Sequence, residues 1–279
     1  MKAHSVLLAL FLLIGYTINI VAQVDRNLRF THLTNDNGLP TNTIYSLCQD
    51  FKGFIWIATA NGLCKYDGRS ISVYEVEPTK GERKKGGIIR HVFEDKRHRL
   101  WVITHKGVNL YNRNKDNFNF VSVDSLNNFS RVIYQDDKGK IYMGGSGAFI
   151  YNEQTSKFDP FYVNQDETIT AFITAITSDQ KGQMWFGRMY GGLICADVEN
   201  GKLTRYKHND HNINSLISNK VTSLFTDHHG RIWIGTEDKG ICYFDSSTNK
   251  FIRIEGFPQI CVRTFAEDAE GNIWIGSEN

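Results

Sequence analysis

The sequence contains little proline and an odd number of cysteines. Only 4 of its 279 residues are proline, whereas 24 are glycine and 13% are aromatic, a mix that suits many short strands joined by turns better than helices. The five cysteines form no CxxC pair, and no histidine neighbours them at metal-ligand spacing. An odd count argues against a complete disulfide framework. Cys64 and Cys242 are therefore predicted to be small buried apolar residues inside strands.

Signatures of enzymes and of nucleic-acid-binding proteins are also missing. The sequence has no GxSxG elbow, HExxH pair, P-loop or paired-carboxylate motif. Its formal net charge is only +2, and nothing in that balance suggests the clustered basic face typical of nucleic-acid binding. No catalytic residue, no metal ligand and no cofactor is predicted for this chain.

Long apolar runs are absent except near the N-terminus. Lys2 and His4 precede an apolar run from Val6 to Ile14, which polar residues then interrupt and Ala22 ends. This pattern predicts a secretory signal peptide at residues 1–22, ahead of a propeller domain at residues 23–279. An uncleaved membrane anchor is the alternative, although the run is shorter than the roughly 18–20 residues that span a bilayer.

What the sequence does contain is a repeat. Six aromatic residues recur at spacings of 45, 41, 43, 48 and 41, an aspartate precedes each by six positions, and a glycine lies midway. The pattern is D-x-x-G-x-x-W, and His98 and Tyr142 are its single departures. The aromatic residues are Trp56, Trp101, Tyr142, Trp185, Trp233 and Trp274, and the aspartates are Asp50, Asp95, Asp136, Asp179, Asp227 and Asp268. Periods of this length indicate propellers or solenoids.

Each unit is predicted to form four short antiparallel strands. Asp and Gly make a tight turn between the first two strands, since the Asp side chain bonds the backbone ahead and Gly tolerates positive φ. The second strand is apolar on both faces, as in Ile55, Trp56 and Ile57, so both faces need cover. Stacking of blades in an all-β propeller provides it, with the tryptophans as blade-to-blade core. Sugar stacking by these tryptophans is the less favoured alternative.

The repeat also predicts how the chain is arranged around the ring. Phe30 lies 20 residues before Asp50, as the outer-strand aromatics of other units precede the next Asp, so the chain is expected to open with the outer strand of the last blade. Five full blades and the start of a sixth are expected within an incomplete seven-bladed ring. A six-bladed ring lacking one strand is the alternative.

Three segments carry a family resemblance: GLPTNTI at 38–44, NSLISNKV at 214–221 and DHHGRIWIGT at 227–236. They resemble the two-component regulator propeller repeat, and the resemblance covers roughly residues 28–279. It implies the periplasmic sensor region of a Bacteroides-type hybrid two-component system, which recognises glycan-derived oligosaccharides and signals to a downstream histidine kinase. The implied partners are that ligand, the kinase domain of the same parent chain and, for a homodimer, a second copy. The implied parent protein is anchored in the inner membrane.

Candidate ligand residues lie in the loops at one end of the predicted blades. Loops held by a rigid scaffold are where function concentrates, and Arg188 with Tyr190 is the favoured pair because planar polar and aromatic groups suit sugars. The further candidates are His105, Asn61, Arg90, Arg263 and Glu237. The basic run Lys80, Arg83, Lys84, Lys85 and Arg90 would attract an acidic or sulfated ligand. Solvated loop residues are the simpler explanation for each of these positions.

Two other function classes stay open. A secreted propeller scaffold without a signalling partner is one. A metal-dependent lyase of propeller fold is the other, and it would need His105, Glu237 and Glu278 to converge at the channel mouth.

Overall fold

The structure is a computed structural model. It describes residues 32–76, 87–104, 106–123, 130–161, 169 and 171–278. The chain divides into two compact units, Met1–Leu33 and Thr34–Asn279, and nearly all of the first lies outside the described residues. The predicted signal peptide at 1–22, the predicted outer strand around Phe30 and the basic residues from Lys80 to Lys85 also lie outside them.

The second unit is built from antiparallel sheets in which strand order follows chain order. A short 3₁₀ helix, Asn35–Asn37, precedes the first sheet. The strands of the first three blades are β1 Ile44–Gln49, β2 Ile55–Thr59, β3 Gly62–Tyr66, β4 Ile71–Tyr74, β5 Ile89–Glu94, β6 Leu100–Thr104, β7 Gly107–Asn112, β8 Asn117–Val121, β9 Ser130–Gln135, β10 Ile141–Gly145, β11 Ala148–Asn152 and β12 Lys157–Pro160. Those of the next three are β13 Ile173–Ser178, β14 Met184–Arg188, β15 Leu193–Asp197, β16 Lys202–Tyr206, β17 Val221–Thr226, β18 Ile232–Thr236, β19 Ile241–Asp245, β20 Lys250–Arg253, β21 Val262–Glu267 and β22 Ile273–Ser277.

Five sheets have four strands, and the sixth has the two strands β21 and β22 within the described residues. The first strands of successive sheets pack side by side, β1 on β5, β5 on β9, and so on to β21. This is the predicted propeller of four-stranded blades, with the first strand of each blade innermost. Gly192 and Gly240 directly precede the third strands of their blades at φ +81° and +71°.

The repeated aspartate organises the turn between the first two strands of every blade. In blade one, Asp50 Oδ1 accepts hydrogen bonds from the backbone N–H of Lys52 and Phe54, at 3.0 and 3.1 Å, which is the predicted turn chemistry. Asp50 Oδ2 accepts a further bond from the indole N–H of Trp56 at 3.0 Å. A buried indole N–H needs such a partner, so the Asp and Trp of the repeat form one unit.

Both departures from the repeat preserve its chemistry. The Tyr142 hydroxyl donates to Asp136 Oδ2 at 3.2 Å, in place of an indole. His98 adopts φ +61°, the left-handed conformation that glycine supplies in the other blades. Its ring lies 4.3 Å from that of Phe51, centroid to centroid, in the neighbouring blade.

The tryptophans form the core between blades, as predicted. Trp101 of blade two is fully buried among Ile133, Ile141 and Phe158 of blade three. Trp56 and Trp185 are also buried. The prediction is wrong for one residue: Trp274 is 47% exposed. No further blade follows β22 among the described residues, so the Trp274 ring lacks the cover that the next blade gives the other tryptophans.

A glycine two residues after the aromatic residue lets blades approach closely. A Cβ on Gly187 would lie 2.6 Å from Val221 Cγ1 of the next inner strand, and one on Gly144 would lie 2.5 Å from Ile173 Cγ2. Real Cβ atoms do not tolerate such distances, so close packing between these blades depends on the missing side chain.

All five cysteines are unpaired, and Cys64 and Cys242 are fully buried, which confirms their prediction as small core residues. Burial raises the pKa of the Cys64 thiol to about 11 and that of Cys242 to about 12. Both thiols are therefore protonated and unreactive in the folded chain. No helix in the described part of the chain has the length and apolarity to span a membrane.

Candidate ligand-binding site at the channel mouth

One end of the blades gathers the loops that carry the candidate residues. Because the strands are antiparallel and sequential, the loops from second to third strand and from fourth to first strand lie at the same end. Hydrogen bonds join the two kinds of loop: Met189 N–H donates to the Phe172 carbonyl at 3.1 Å, and Glu237 N–H donates to the Lys220 carbonyl at 3.0 Å.

Every inner strand carries a β-bulge at this end. The register between first and second strands shifts by one residue near the start of each first strand. Bulges re-aim a side chain out of the regular alternation. The six bulge residues, which we call the channel mouth, are Tyr45, Arg90, Arg131, Thr174, Thr222 and Arg263.

Two bulge residues fasten neighbouring blades. Thr174 Oγ1 donates to the Val221 carbonyl at 2.6 Å, and Thr222 Oγ1 donates to the Val262 carbonyl at 2.5 Å. Each acceptor belongs to the inner strand of the next blade. The bulge position therefore faces the seam between inner strands, and a short hydroxyl is sufficient to bridge it.

Three bulge residues are arginines, two of them predicted ligand residues. The Arg90 guanidinium lies 5.5 Å from the centre of the Tyr45 ring, a cation–π contact with the preceding blade. Arg263 Nε donates to Glu278 Oε1 at 2.9 Å. Arg131 belongs to the inner strand of blade three, and its guanidinium is 5.9 Å from the centre of the Phe172 ring.

The Arg188–Tyr190 loop lies at the same end, between β14 and β15. Arg188 Nη2 donates to the Gly191 carbonyl, which folds the guanidinium onto its own loop. Burial, and then the positive charge of Arg205, lower the Arg188 pKa from its usual value. The N–H groups of Gly191 and Gly192 donate to the Asn219 carbonyl at 3.2 and 2.9 Å. Tyr190 is 73% exposed, so a fixed loop presents this ring to solvent.

The remaining predicted residues have separate surroundings. Asn61 turns the chain between β2 and β3, where its N–H donates to Thr59 Oγ1 at 3.0 Å. Glu237 lies 3.2 Å from the Lys220 ammonium, which also lies 3.6 Å from Asp238. His105 lies outside the described residues.

The acids of the lyase alternative are engaged in ion pairs, Glu237 with Lys220 and Glu278 with Arg263. Within the described ranges, no group of three His, Cys, Asp or Glu side chains could hold a metal ion.

A cleft of about 690 Å³ opens at the opposite end of the blades, between the turns of blades one to three. Its acids hold the blades together, since Arg113 bridges Asp50 at 2.9 Å and Glu94 at 2.5 Å. The Phe51 N–H also donates to Glu94, at 2.7 Å. These contacts are structural, so the channel mouth is the better candidate for ligand binding.

Neither Arg131 nor Phe172 is among the predicted ligand residues. A signal for Arg131 was present, because Arg90, Arg131 and Arg263 each lie five positions before a repeat aspartate. Phe172 shows no such repeated spacing in the sequence. It becomes a candidate ligand residue only because its ring lies beside Arg131.

Comparison with known proteins supports both the repeat and the propeller fold. Residues 38–61, 215–238 and 256–279 match the family described as two component regulator propeller. No curated protein matches the chain. Among solved structures, it is similar to the extracellular domain of the putative hybrid two component system BT3049 from B. thetaiotaomicron, with 23% identity and a TM-score of 0.74 over 89% of this chain and 34% of that one.

Two further structures share the fold. The extracellular domain of BT4673, described as a putative one component system from B. thetaiotaomicron, has 20% identity and a TM-score of 0.68 over 90% of this chain and 36% of that one. A catalytically inactive virginiamycin B lyase from Staphylococcus aureus has 15% identity and a TM-score of 0.66 over 88% of this chain and 80% of that one.

The chain spans about a third of the length of the two B. thetaiotaomicron structures. At these identities the structural likeness shows the propeller fold alone, while the three matched segments lie in the repeat itself. The chain therefore has a propeller fold, and three of its segments match the two component regulator propeller family.

Proposed function

We propose that this chain is the extracytoplasmic, ligand-binding region of a sensor that signals to a histidine kinase of the same parent protein. The observation that carries the proposal is the match of three repeats to the two component regulator propeller family. The fold shared with extracellular domains of putative two component and one component systems supports it. The chain itself is proposed to bind and not to catalyse.

The proposed ligand is an oligosaccharide released from a glycan. Tyr190 and Phe172 are exposed aromatic residues of the loops at the channel-mouth end, and Met189 N–H bonds the two loops together through the Phe172 carbonyl. Aromatic faces beside planar polar groups suit sugar rings, and a loop fixed by backbone bonds loses little entropy on binding. We expect the double variant Arg188→Ala/Tyr190→Ala to bind the oligosaccharide more weakly, and unchanged affinity would remove this loop from the site.

Export through a signal peptide at residues 1–22 belongs to the proposal. The expected N-terminus of the periplasmic protein is Gln23, which N-terminal sequencing of that fraction would detect. An intact Met1 in the fraction would contradict cleavage.

The genomic frame beyond codon 279 tests the signalling half of the proposal. We expect it to continue through further propeller blades into a membrane helix and a kinase domain. A stop codon soon after the ring closes would contradict signalling and favour a scaffold. The lyase alternative has the shared fold of virginiamycin B lyase as its support, and metal-dependent lyase activity of the purified chain would be its test.

A further inference from the structure

The arginines of the channel mouth bring charge to a position where a small hydroxyl is sufficient for blade packing. Thr174 and Thr222 occupy the same bulge position in blades four and five, and each joins the next inner strand through one hydroxyl. Blades therefore pack at this seam with a small side chain. In blades two, three and six the position carries a long cationic side chain instead, which adds charge beyond what the seam needs.

The positive charges of these side chains meet. Burial lowers the pKa of Arg131 from its usual value, and the charges of Arg90 and then Arg263 lower it further. Arg90 belongs to the adjacent blade, whereas Arg263 belongs to a blade three places further along the chain. The bulges place all three arginines at the same end of the inner strands, so the three share one rim of the propeller.

Three of the six bulge residues are arginines, and none of the six is acidic. Arg263 is paired with Glu278 through its Nε, at 2.9 Å, while no described carboxylate forms an ion pair with Arg131. Three guanidinium groups repel one another in a half-buried setting, and a bound anion would relieve that repulsion. Glu278 shows that one of these guanidinium groups, that of Arg263, accepts a carboxylate.

Aromatic rings flank the same guanidinium groups. Tyr45 lies under Arg90 and is 45% exposed, and Phe172 lies under Arg131 and is 36% exposed. A guanidinium group can donate two parallel hydrogen bonds to a carboxylate or a sulfate. A sugar ring could rest on the exposed aromatic faces while its acidic substituent reaches the arginines.

We propose that Arg90, Arg131 and Arg263 form a binding site for an anionic group, a carboxylate or a sulfate, carried by the oligosaccharide ligand. This inference rests on the proposed ligand-binding function. It deepens that function, because it names an acidic sugar as the ligand class and places its charged group at the channel mouth.

The test compares sugars that differ only in the anionic group. The 279-residue chain is titrated calorimetrically with glucuronate and with glucose, and then with N-acetylglucosamine 6-sulfate and N-acetylglucosamine. We expect one acidic probe to bind at least about tenfold more tightly than its neutral counterpart, with affinity falling as salt rises. The preferred acidic probe tells whether the site takes a carboxylate or a sulfate.

Three variants assign the effect to the site. Arg131→Gln should weaken binding of the acidic probe about tenfold or more, and Arg131→Lys should retain part of the affinity because it keeps the charge but not the forked donor. Arg69→Gln is the matched control, since Arg69 is exposed in the turn between β3 and β4 at the opposite end. Circular dichroism confirms that each variant is folded.

Two outcomes would overturn the inference. If neutral sugars bind and neither acidic groups nor Arg131→Gln change the affinity, the ligand-binding function stands and the anion site is wrong. If the folded chain binds neither acidic probe, the anion site is also wrong, and the proposed function is then judged by neutral oligosaccharides alone.

Discussion

Replacing Asp227 by alanine should destabilise the propeller strongly, because this carboxylate joins the turn of blade five to its core tryptophan. Its Oδ1 accepts the backbone N–H groups of His229 and Arg231 at 3.0 and 2.8 Å. Its Oδ2 accepts the indole N–H of Trp233 at 2.8 Å and Arg231 Nε at 2.6 Å. The carboxylate is fully buried, whereas Arg231 is 37% exposed.

The size of the loss follows from these partners. Asp227→Ala leaves the buried indole N–H without an acceptor, which costs about 1–3 kcal/mol. The two backbone bonds contribute about 0.5–1.5 kcal/mol each. The ion pair with the partly exposed Arg231 adds at most about 1 kcal/mol, because solvent screens it. The expected loss in the free energy of unfolding is therefore about 2–7 kcal/mol, a large part of the stability of a typical domain.

Urea unfolding followed by far-UV circular dichroism measures the loss, and Asp245→Ala is the matched control. Asp245 ends β19 of the same blade and accepts bonds from Ser247 and Thr248 at the exposed surface. Its removal should cost about 1 kcal/mol or less, since water replaces the lost partners. Equal losses for Asp227→Ala and Asp245→Ala would refute the reasoning.

A double-mutant cycle isolates the Asp–Trp contact. Trp233→Phe removes the indole N–H and keeps most of the apolar ring. The coupling energy between Asp227→Ala and Trp233→Phe should be about 1–3 kcal/mol, as for contacting residues that share a buried hydrogen bond. A coupling near zero would show that the two residues stabilise the blade independently.

Three further predictions follow from the fold. Burial alone would raise the pKa of Asp227, but the hydrogen bonds from Trp233 and Arg231 outweigh burial and hold this pKa below its usual value. The stability that the Asp227 carboxylate contributes is therefore present above about pH 4 and is lost as pH falls below that. Between pH 5 and 3, the urea midpoint of Asp227→Asn should depend less on pH than that of the unsubstituted chain. Gly187→Ala should cost about 1–3 kcal/mol in urea unfolding through its clash with Val221, and less in a Val221→Ala background; a purely additive double variant would contradict the clash. Three buried thiols, those of Cys64, Cys195 and Cys242, should resist iodoacetamide at pH 8 until urea unfolds the chain, because burial raises their pKa values to about 11 or 12. Mass spectrometry of the alkylated peptides measures the labelling. Labelling of these cysteines in the folded chain would contradict their burial.

The repeat made most of the fold predictable from the sequence. The D-x-x-G-x-x-W period located the turn between the first and second strands of every blade. This was possible because Asp and Gly act on the backbone within four residues and need no tertiary context. The bond from Trp233 to Asp227 was not predicted, since it spans six residues and depends on how the second strand leaves the turn. The exposure of Trp274 was also not predicted, because it depends on neighbouring strands and not on the repeat.

The candidate site was less predictable than the fold. The sequence placed Arg90, Arg131 and Arg263 near the starts of inner strands, but only the strand register shows that all three occupy the same bulge position. Arg188 was chosen for its Tyr190 neighbour, yet its guanidinium folds onto the Gly191 carbonyl. Side-chain direction in a loop depends on the local carbonyl groups available, and composition does not record it.

The most direct test of the account is calorimetric titration of the chain with oligosaccharides prepared from complex glycans, both neutral and acidic. We predict saturable one-site binding of an oligosaccharide, with the acidic preparations preferred. Absence of saturable binding to every preparation, by a chain that circular dichroism shows to be folded, would contradict the claim that this propeller is the ligand-binding part of a sensor.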